Sequence, residues 1–281
     1  MKLVRYTHEN DVICGVVEGD MVYPLNAYFT DVPLDWIKLI HFVHRNKQNA
    51  KRSESYKGIL FKTLNLELPV SPLNKIVCVG LNYKDHAIEG NQPIPEHPVF
   101  FIRYFSSFTP HGRVLSMPAV SDKYDYEAEL VIVIGETLHR PSKDEAIKGI
   151  FGYSAAMDGS VRDYQKRTPQ WTLGKNFDAS GSIGPSIITA DDLPAGAGGL
   201  KVQTRLNGEL LQDGTTSDMI FSVDTLVAAL AECMTLNPGD MILTGTPAGV
   251  GFARKPPLYL KKGDKVQVLI EKLDVLENTV R

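Results

Sequence analysis

The sequence predicts an α+β fold, mainly β, with a small N-terminal α/β domain over residues 1–70 and a larger β domain over 71–281. Three observations predict it. Short runs rich in Val, Ile and aromatic residues recur between turns such as "NG", "PGD" and "KGD", the signature of many short strands. Helical spacing is rare and brief, so the regular strand–helix alternation of a parallel sheet is missing and a mainly antiparallel arrangement is expected. A polar, Pro-containing connection up to "ELPVSPLN" separates the first strands and helix from the β-rich remainder.

In chain order, "KLVRYTHENDVICGVVEGDMVYPL" reads as short strands joined by the polar turns "THEND" and "EGD". "PLDWIKLIHFVHRN" carries Trp36, Ile37, Leu39, Ile40, Phe42 and Val43 at spacings suited to an amphipathic helix. From Lys75, "KIVCVGLN" is a buried strand, and "YKDHAIEG" a short helix ending at Gly90. "HPVFFIRYFSS" and "YEAELVIVIG" are two more strands. "SKDEAIKGI" sets Ser142 three residues before Glu145, a capping box. "GYSAAMDGS" is a strand entering a polar turn, "SVDTLVAALAECM" the one good helix of the second half, and the remaining runs are strands.

Net charge is -3 and the basic residues are scattered, so no nucleic-acid surface is expected. No apolar stretch approaches membrane-spanning length. The N-terminus lacks the apolar core of a secretory signal, which makes the cytoplasm the expected location. Cys14, Cys78 and Cys233 lie far apart among apolar neighbours; small buried hydrophobes are expected, not a disulfide or zinc framework.

Strand alternation puts Glu127 and Glu129 on one face, with Asp125 in line, just before the buried run "LVIVIG". Like charges so placed need solvent, a proton or a cation. A third carboxylate, Asp158, ends the strand of "AAMDGS". Three carboxylates without Cys or His suit a hard divalent ion, Mg²⁺, Mn²⁺ or Ca²⁺; a wet strand edge is the alternative. His86 and Glu89 are three apart on a predicted helix, a spacing that lets a carboxylate orient an imidazole as a general base. Lys175 stands in a Gly-flanked loop where it could hold a substrate carboxylate or a developing enolate. "LTGTPAGVGF" lacks the ending of a phosphate loop but offers turn N–H groups and the Thr246 hydroxyl to an anion.

Taken in order, "VGLNYKDHAIE", "PVFFIR", "YDYEAELVIVIG", "GYSAAMDGSVRDYQ", "GKNFDASGSIGP", "LNGELLQDGTTSDMIF" and "GDMILTGTPAGVG" resemble the fumarylacetoacetate hydrolase family, from about Lys75 to the C-terminus. The resemblance implies a mixed β-roll catalytic domain, usually a homodimer. It implies Mg²⁺ or Mn²⁺ held by Glu127, Glu129 and Asp158, water activation by His86 with Glu89, and substrate polarisation by Lys175. Gln165, Gly245 and Thr246 match positions lining the substrate pocket. Arg103 stands where the family often has a Lys-Pro pair, and Met157, Gly159 and Ser160 depart from its usual residues around Asp158. Arg103 is taken as a substrate contact.

The activity expected from this resemblance is metal-dependent hydrolysis of a carbon–carbon bond in a small 1,3-diketo or acylpyruvate-type acid, through an enolate. Isomerase, tautomerase or decarboxylase action on 2-keto acids is the alternative on the same site. A non-catalytic 2-keto-acid-binding module is the reading from another class.

Overall fold

The computed structural model describes residues 1–281. The chain opens with an antiparallel meander of β1 (Lys2–His8), β2 (Asp11–Glu18) and β3 (Met21–Pro24). Helix α1 (Trp36–Asn46) follows; the Asp35 carboxylate accepts the Lys38 N–H at 2.9 Å and caps it. Such a cap contributes about 1 kcal/mol. Burying the Trp36, Leu39, Ile40 and Val43 face contributes more, at about 1.5–3 kcal/mol per large apolar side chain. Packing, not capping, therefore holds α1 in place.

The rest of the chain supplies β4 (Ile76–Gly80), α2 (Lys84–Glu89), β5 (Val99–Ile102) and β6 (Ala128–Ile134). Next come α3 (Lys143–Lys148), with its Ser142/Glu145 capping box, β7 (Ile150–Met157), α4 (Arg162–Gln165) and α5 (Thr172–Lys175). β8 (Gly181–Thr189), β9 (Lys201–Leu206), β10 (Glu209–Thr215), α6 (Val223–Cys233), β11 (Met241–Leu243), β12 (Lys265–Ile270) and β13 (Leu276–Val280) complete it.

A twelve-stranded sheet runs β3-β2-β1-β8-β7-β6-β11-β4-β5, with short strands at its rim. Along this path only β11 and β4 pair in parallel. A second, five-stranded sheet contains β10-β9-β12-β13. The fold is thus α+β and mainly β. No helix is long and apolar enough to cross a membrane.

β6 is buried along its whole length, and the two-residue period assigns its faces. Leu130, Ile132 and Ile134 join a 36-residue core shared with the five-stranded sheet. Val131 and Val133 join a second core of 21 residues that includes the buried face of α1. That second core crosses the expected domain boundary: Leu3, Cys14 and Val16 pack in it with Val131, Val133 and Phe151. β1 also pairs with β8. The connection near residue 70 therefore does not divide the hydrophobic interior, because the N-terminal strands extend the main sheet. Cys14 and Cys78 are buried, but Cys233 at the end of α6 is exposed, against the expectation for it.

Candidate active site

The β6–β7 register builds the centre. Ala128 faces Met157, so the residues just outside the pair, Glu127 and Asp158, are neighbours, joined by an Asp158 N–H bond to the Glu127 carbonyl at 2.9 Å. Glu129 is two residues on, on the face of Glu127. Each of the three carboxylates offers an oxygen within 4.8 Å of the others, and all three are buried. The two-residue period and one strand pairing thus converge three charges that the sequence holds 31 positions apart at most.

Three cations neutralise much of this charge. Lys175, at the end of α5, places Nζ 2.6 Å from both Glu127 Oε2 and Asp158 Oδ2. Arg162, at the start of α4, reaches Asp125 Oδ2 at 2.8 Å and Glu127 Oε1 at 2.7 Å. Arg103 bonds Asp158 from behind, together with Ser107 and Ser180. Glu129 has no cation; it accepts one bond, from the Gly245 N–H at 2.8 Å.

Burial by itself pushes a carboxyl pKa up, and the partners decide whether the group stays ionised. For Glu127 the Lys175 and Arg162 charges overcome burial and hold the carboxyl well below the usual range. For Glu129 burial dominates and Asp158 and Glu127 add to it, so its pKa stands well above the usual range. Burial lowers the Lys175 ammonium, but Asp158 and Glu127 outweigh it and keep it charged. An all-oxygen, buried, closely spaced set with one uncompensated carboxylate fits a hard divalent cation. Glu127, Glu129 and Asp158 are the residues that could hold it.

The two glutamates of the triad form part of the wall of a cavity of about 260 Å³. His86 on α2 also lines it; its Nδ1 is 2.8 Å from Glu89 Oε1, and Glu89 Oε2 accepts the Gly249 N–H at 2.9 Å. Glu89 is thus fixed at both oxygens, which leaves Nε2 of the ring for the cavity. Trp171 lies against Gly80, where a Cβ would sit 2.1 Å from the indole, and meets Phe101 edge-on at 5.5 Å. Only glycine at 80 lets that wall close.

The structure brings His86, Glu127, Glu129, Lys175, Gln165 and Thr246 to one cavity. Asp158 is fully buried behind its rim. Three expectations need correction. Arg103, taken as a substrate contact, is fully buried and its donors face Asp158, Gly159, Ser107 and Ser180; it orders a carboxylate and does not face the cavity. Gly245 likewise turns its N–H to Glu129, with a φ of 92° that a side chain resists. The Thr246 hydroxyl lines the cavity, yet its proton goes to the Ala128 carbonyl at 2.8 Å, so it is not free to donate to an anion.

Sequence reasoning missed Arg162 and underrated Asp125. Asp125 accepts Arg162 Nε and the N–H groups of Gly251 and Phe252 at 2.8, 2.8 and 2.9 Å, tying α4 to the turn after "GTPAGVG". The available signal was Arg162 four residues beyond Asp158, close in sequence to the triad.

Residues 75–281 match the family described as fumarylacetoacetate (FAA) hydrolase C-terminal. The chain belongs to the fumarylacetoacetate hydrolase family. Among relatives, the mitochondrial oxaloacetate tautomerase fahd2 of Xenopus laevis is 37% identical over 267 residues, covering 94% of this chain and 83% of that protein. The mitochondrial oxaloacetate tautomerase FAHD2A of Homo sapiens is 44% identical over 215 residues, 75% of this chain and 68% of that protein. The crystal structure of 2-hydroxyhepta-2,4-diene-1,7-dioate isomerase from Mycobacterium marinum superposes with a TM-score of 0.79 at 30% identity, covering 100% of this chain and 98% of that one.

These family members carry the names of tautomerases and an isomerase, which match the alternative activity expected above better than the hydrolase. The expected cytoplasmic location is overturned: the oxaloacetate tautomerases are mitochondrial by name. A missing apolar segment speaks only against secretion, whereas organellar transit peptides are amphipathic and not apolar.

Proposed function

We propose that this enzyme is a divalent-metal-dependent keto–enol tautomerase of a short 2-keto acid of the oxaloacetate kind. The observation that carries the reading is His86, held by Glu89, facing the cavity whose wall includes Glu127 and Glu129 of the carboxylate triad. The names of the tautomerase relatives support it. Tautomerisation moves one proton between C3 and the 2-oxygen, and the pair supplies one proton carrier.

A divalent ion, Mg²⁺ or Mn²⁺, held by Glu127, Glu129 and Asp158 would supply Lewis-acid polarisation of the 2-keto group. Lys175 adds a fixed positive charge beside the oxygen that gains electron density. His86 takes the C3 proton on Nε2 and delivers it to the 2-oxygen, or carries it the other way; Glu89 holds the ring and stabilises its protonated form. Gln165 keeps its amide nitrogen for substrate, since its Oε1 is taken by Arg162 at 2.9 Å. Phe101, Trp171 and Phe252 keep the cavity wall apolar, which strengthens each of these charge interactions.

The dyad also allows a second reading, since a histidine oriented by a carboxylate can activate water for acylpyruvate hydrolysis. Parallel assays of enol-oxaloacetate conversion and acylpyruvate cleavage, each with Mg²⁺ and then with chelator, separate the two. The tautomerase reading expects the first reaction to dominate and to vanish with chelator; dominant cleavage replaces it with the hydrolase. Family likeness also carries a homodimer, which sedimentation equilibrium checks.

A further inference from the structure

Three cations line the cavity: Arg162, Lys166 and Lys175. Two are already committed. Lys175 bridges Glu127 and Asp158, and Arg162 bridges Asp125 and Glu127. Lys166 makes no ion pair and no side-chain hydrogen bond. It is exposed, but its place on the cavity wall is set by two contacts. Its N–H bonds the Arg162 carbonyl at 3.1 Å at the end of α4, and its Nζ lies 4.6 Å from the centroid of the Phe252 ring. That ring is itself held through the Phe252 N–H to Asp125 at 2.9 Å, and Arg162 packs on it at 4.5 Å.

Arg162 and Lys166 are four residues apart, one helical turn or about 6 Å of rise. Arg162 touches the triad and Lys166 does not. The free positive charge of the cavity therefore stands one turn away from its reacting end. A 2-keto acid with a single carboxylate has no use for a charge there. A dicarboxylate bound by its keto-acid end would otherwise leave its second carboxylate against Phe101, Trp171 and Phe252, and an unpaired charge against apolar walls is costly.

We propose that Lys166 reads the distal carboxylate and selects short 2-keto dicarboxylates over monocarboxylates of the same shape. This rests on the tautomerase reading for the identity of the reaction, but not for the recognition step. The cation–ring contact holds the ammonium in position before substrate arrives, so less side-chain freedom is lost on binding.

The test compares wild type, Lys166→Met and Lys166→Arg. One arm measures kcat/KM for oxaloacetate and for its 4-methyl ester, which lacks the distal charge. The other measures binding of malate and of 2-hydroxybutanoate by calorimetry with Mg²⁺; neither acid has a keto group to enolise. The expected result is that Lys166→Met lowers the diacid preference about fivefold in both arms, and that Lys166→Arg restores most of it. An unchanged preference in Lys166→Met, or a wild type that binds neither hydroxy acid, overturns the proposal. Absent oxaloacetate turnover alongside a Lys166-dependent malate preference overturns the tautomerase reading alone.

Discussion

Glu127 and Glu129 stand two residues apart on one strand face in opposite electrostatic states. Glu127 is ionised because Lys175 and Arg162 touch it; Glu129 resists ionisation because burial and two like charges act on it together. A divalent ion held by Glu127, Glu129 and Asp158 would reverse the balance at Glu129. Without metal, Glu129→Gln is therefore expected to melt no lower than wild type, since the amide is neutral like the buried carboxyl it replaces. With Mg²⁺, wild type gains stability by mass action and the variant gains none; paired thermal melts check both. Asp125 is the opposite case, a buried carboxylate serving Arg162 and two backbone donors. Asp125→Ala leaves those donors without their partner and is expected to cost about 3 kcal/mol, read from urea unfolding, with activity falling as Phe252 and Arg162 shift.

At the scale of elements, the site is assembled where strands end and short helices begin. α2 presents His86, α4 presents Arg162, and α5 presents Lys175. None of these helices exceeds the 6 residues of α2, too short to be stable alone, so close packing must fix them. Gly174 does this between α5 and α4: a Cβ there would lie 2.3 Å from the Gln165 nitrogen. Gly245 does it between the turn after β11 and the segment after β4, with a Cβ 2.9 Å from Asn82. Gly245→Ala is expected to destabilise by about 1–3 kcal/mol through its left-handed backbone. It should also lower Mg²⁺ affinity, since it moves the N–H from Glu129; calorimetric titration with Mg²⁺ checks this.

These elements also show what a sequence can reveal. Helices α1, α3 and α6 and the alternation of β6 follow from local periodicity and caps, which need no partner to be read. The shared face of Glu127 and Glu129 was legible from strand parity, and Asp158 from its place at a strand end. The inward turn of Arg103 was not, because nothing local distinguishes an arginine facing a substrate from one facing a carboxylate. The role of Asp125 depends on Gly251 and Phe252, 126 and 127 positions away, and no local pattern encodes that distance. The continuity of the interior across residue 70 had the same cause: apolar residues of β1 and β2 state that they are buried, but not against which strand.

For the molecule as a whole, pH acts through groups far from the site. His111 accepts the Glu277 N–H on Nδ1 at 3.0 Å. Burial lowers its pKa below 6.5, against the opposite pull of Glu277 and Asp274. Below 6.5 the unfolded chain takes up a proton there that the native chain refuses, so stability falls as pH drops from that value toward the native one. His111→Asn removes this group's contribution, and urea midpoints on both sides of the free-histidine value should show a shallower loss in the variant than in wild type.

The central claim is that the buried carboxylate triad and the His86–Glu89 pair act together as one tautomerase site. The most direct measurement is the rate of enol-to-keto conversion of oxaloacetate by wild type, Glu129→Gln and His86→Gln, with Mg²⁺ and with chelator. The account predicts acceleration by wild type with Mg²⁺ alone, and loss of about a hundredfold or more in either variant. Undiminished conversion in chelator, or in both variants, would contradict it.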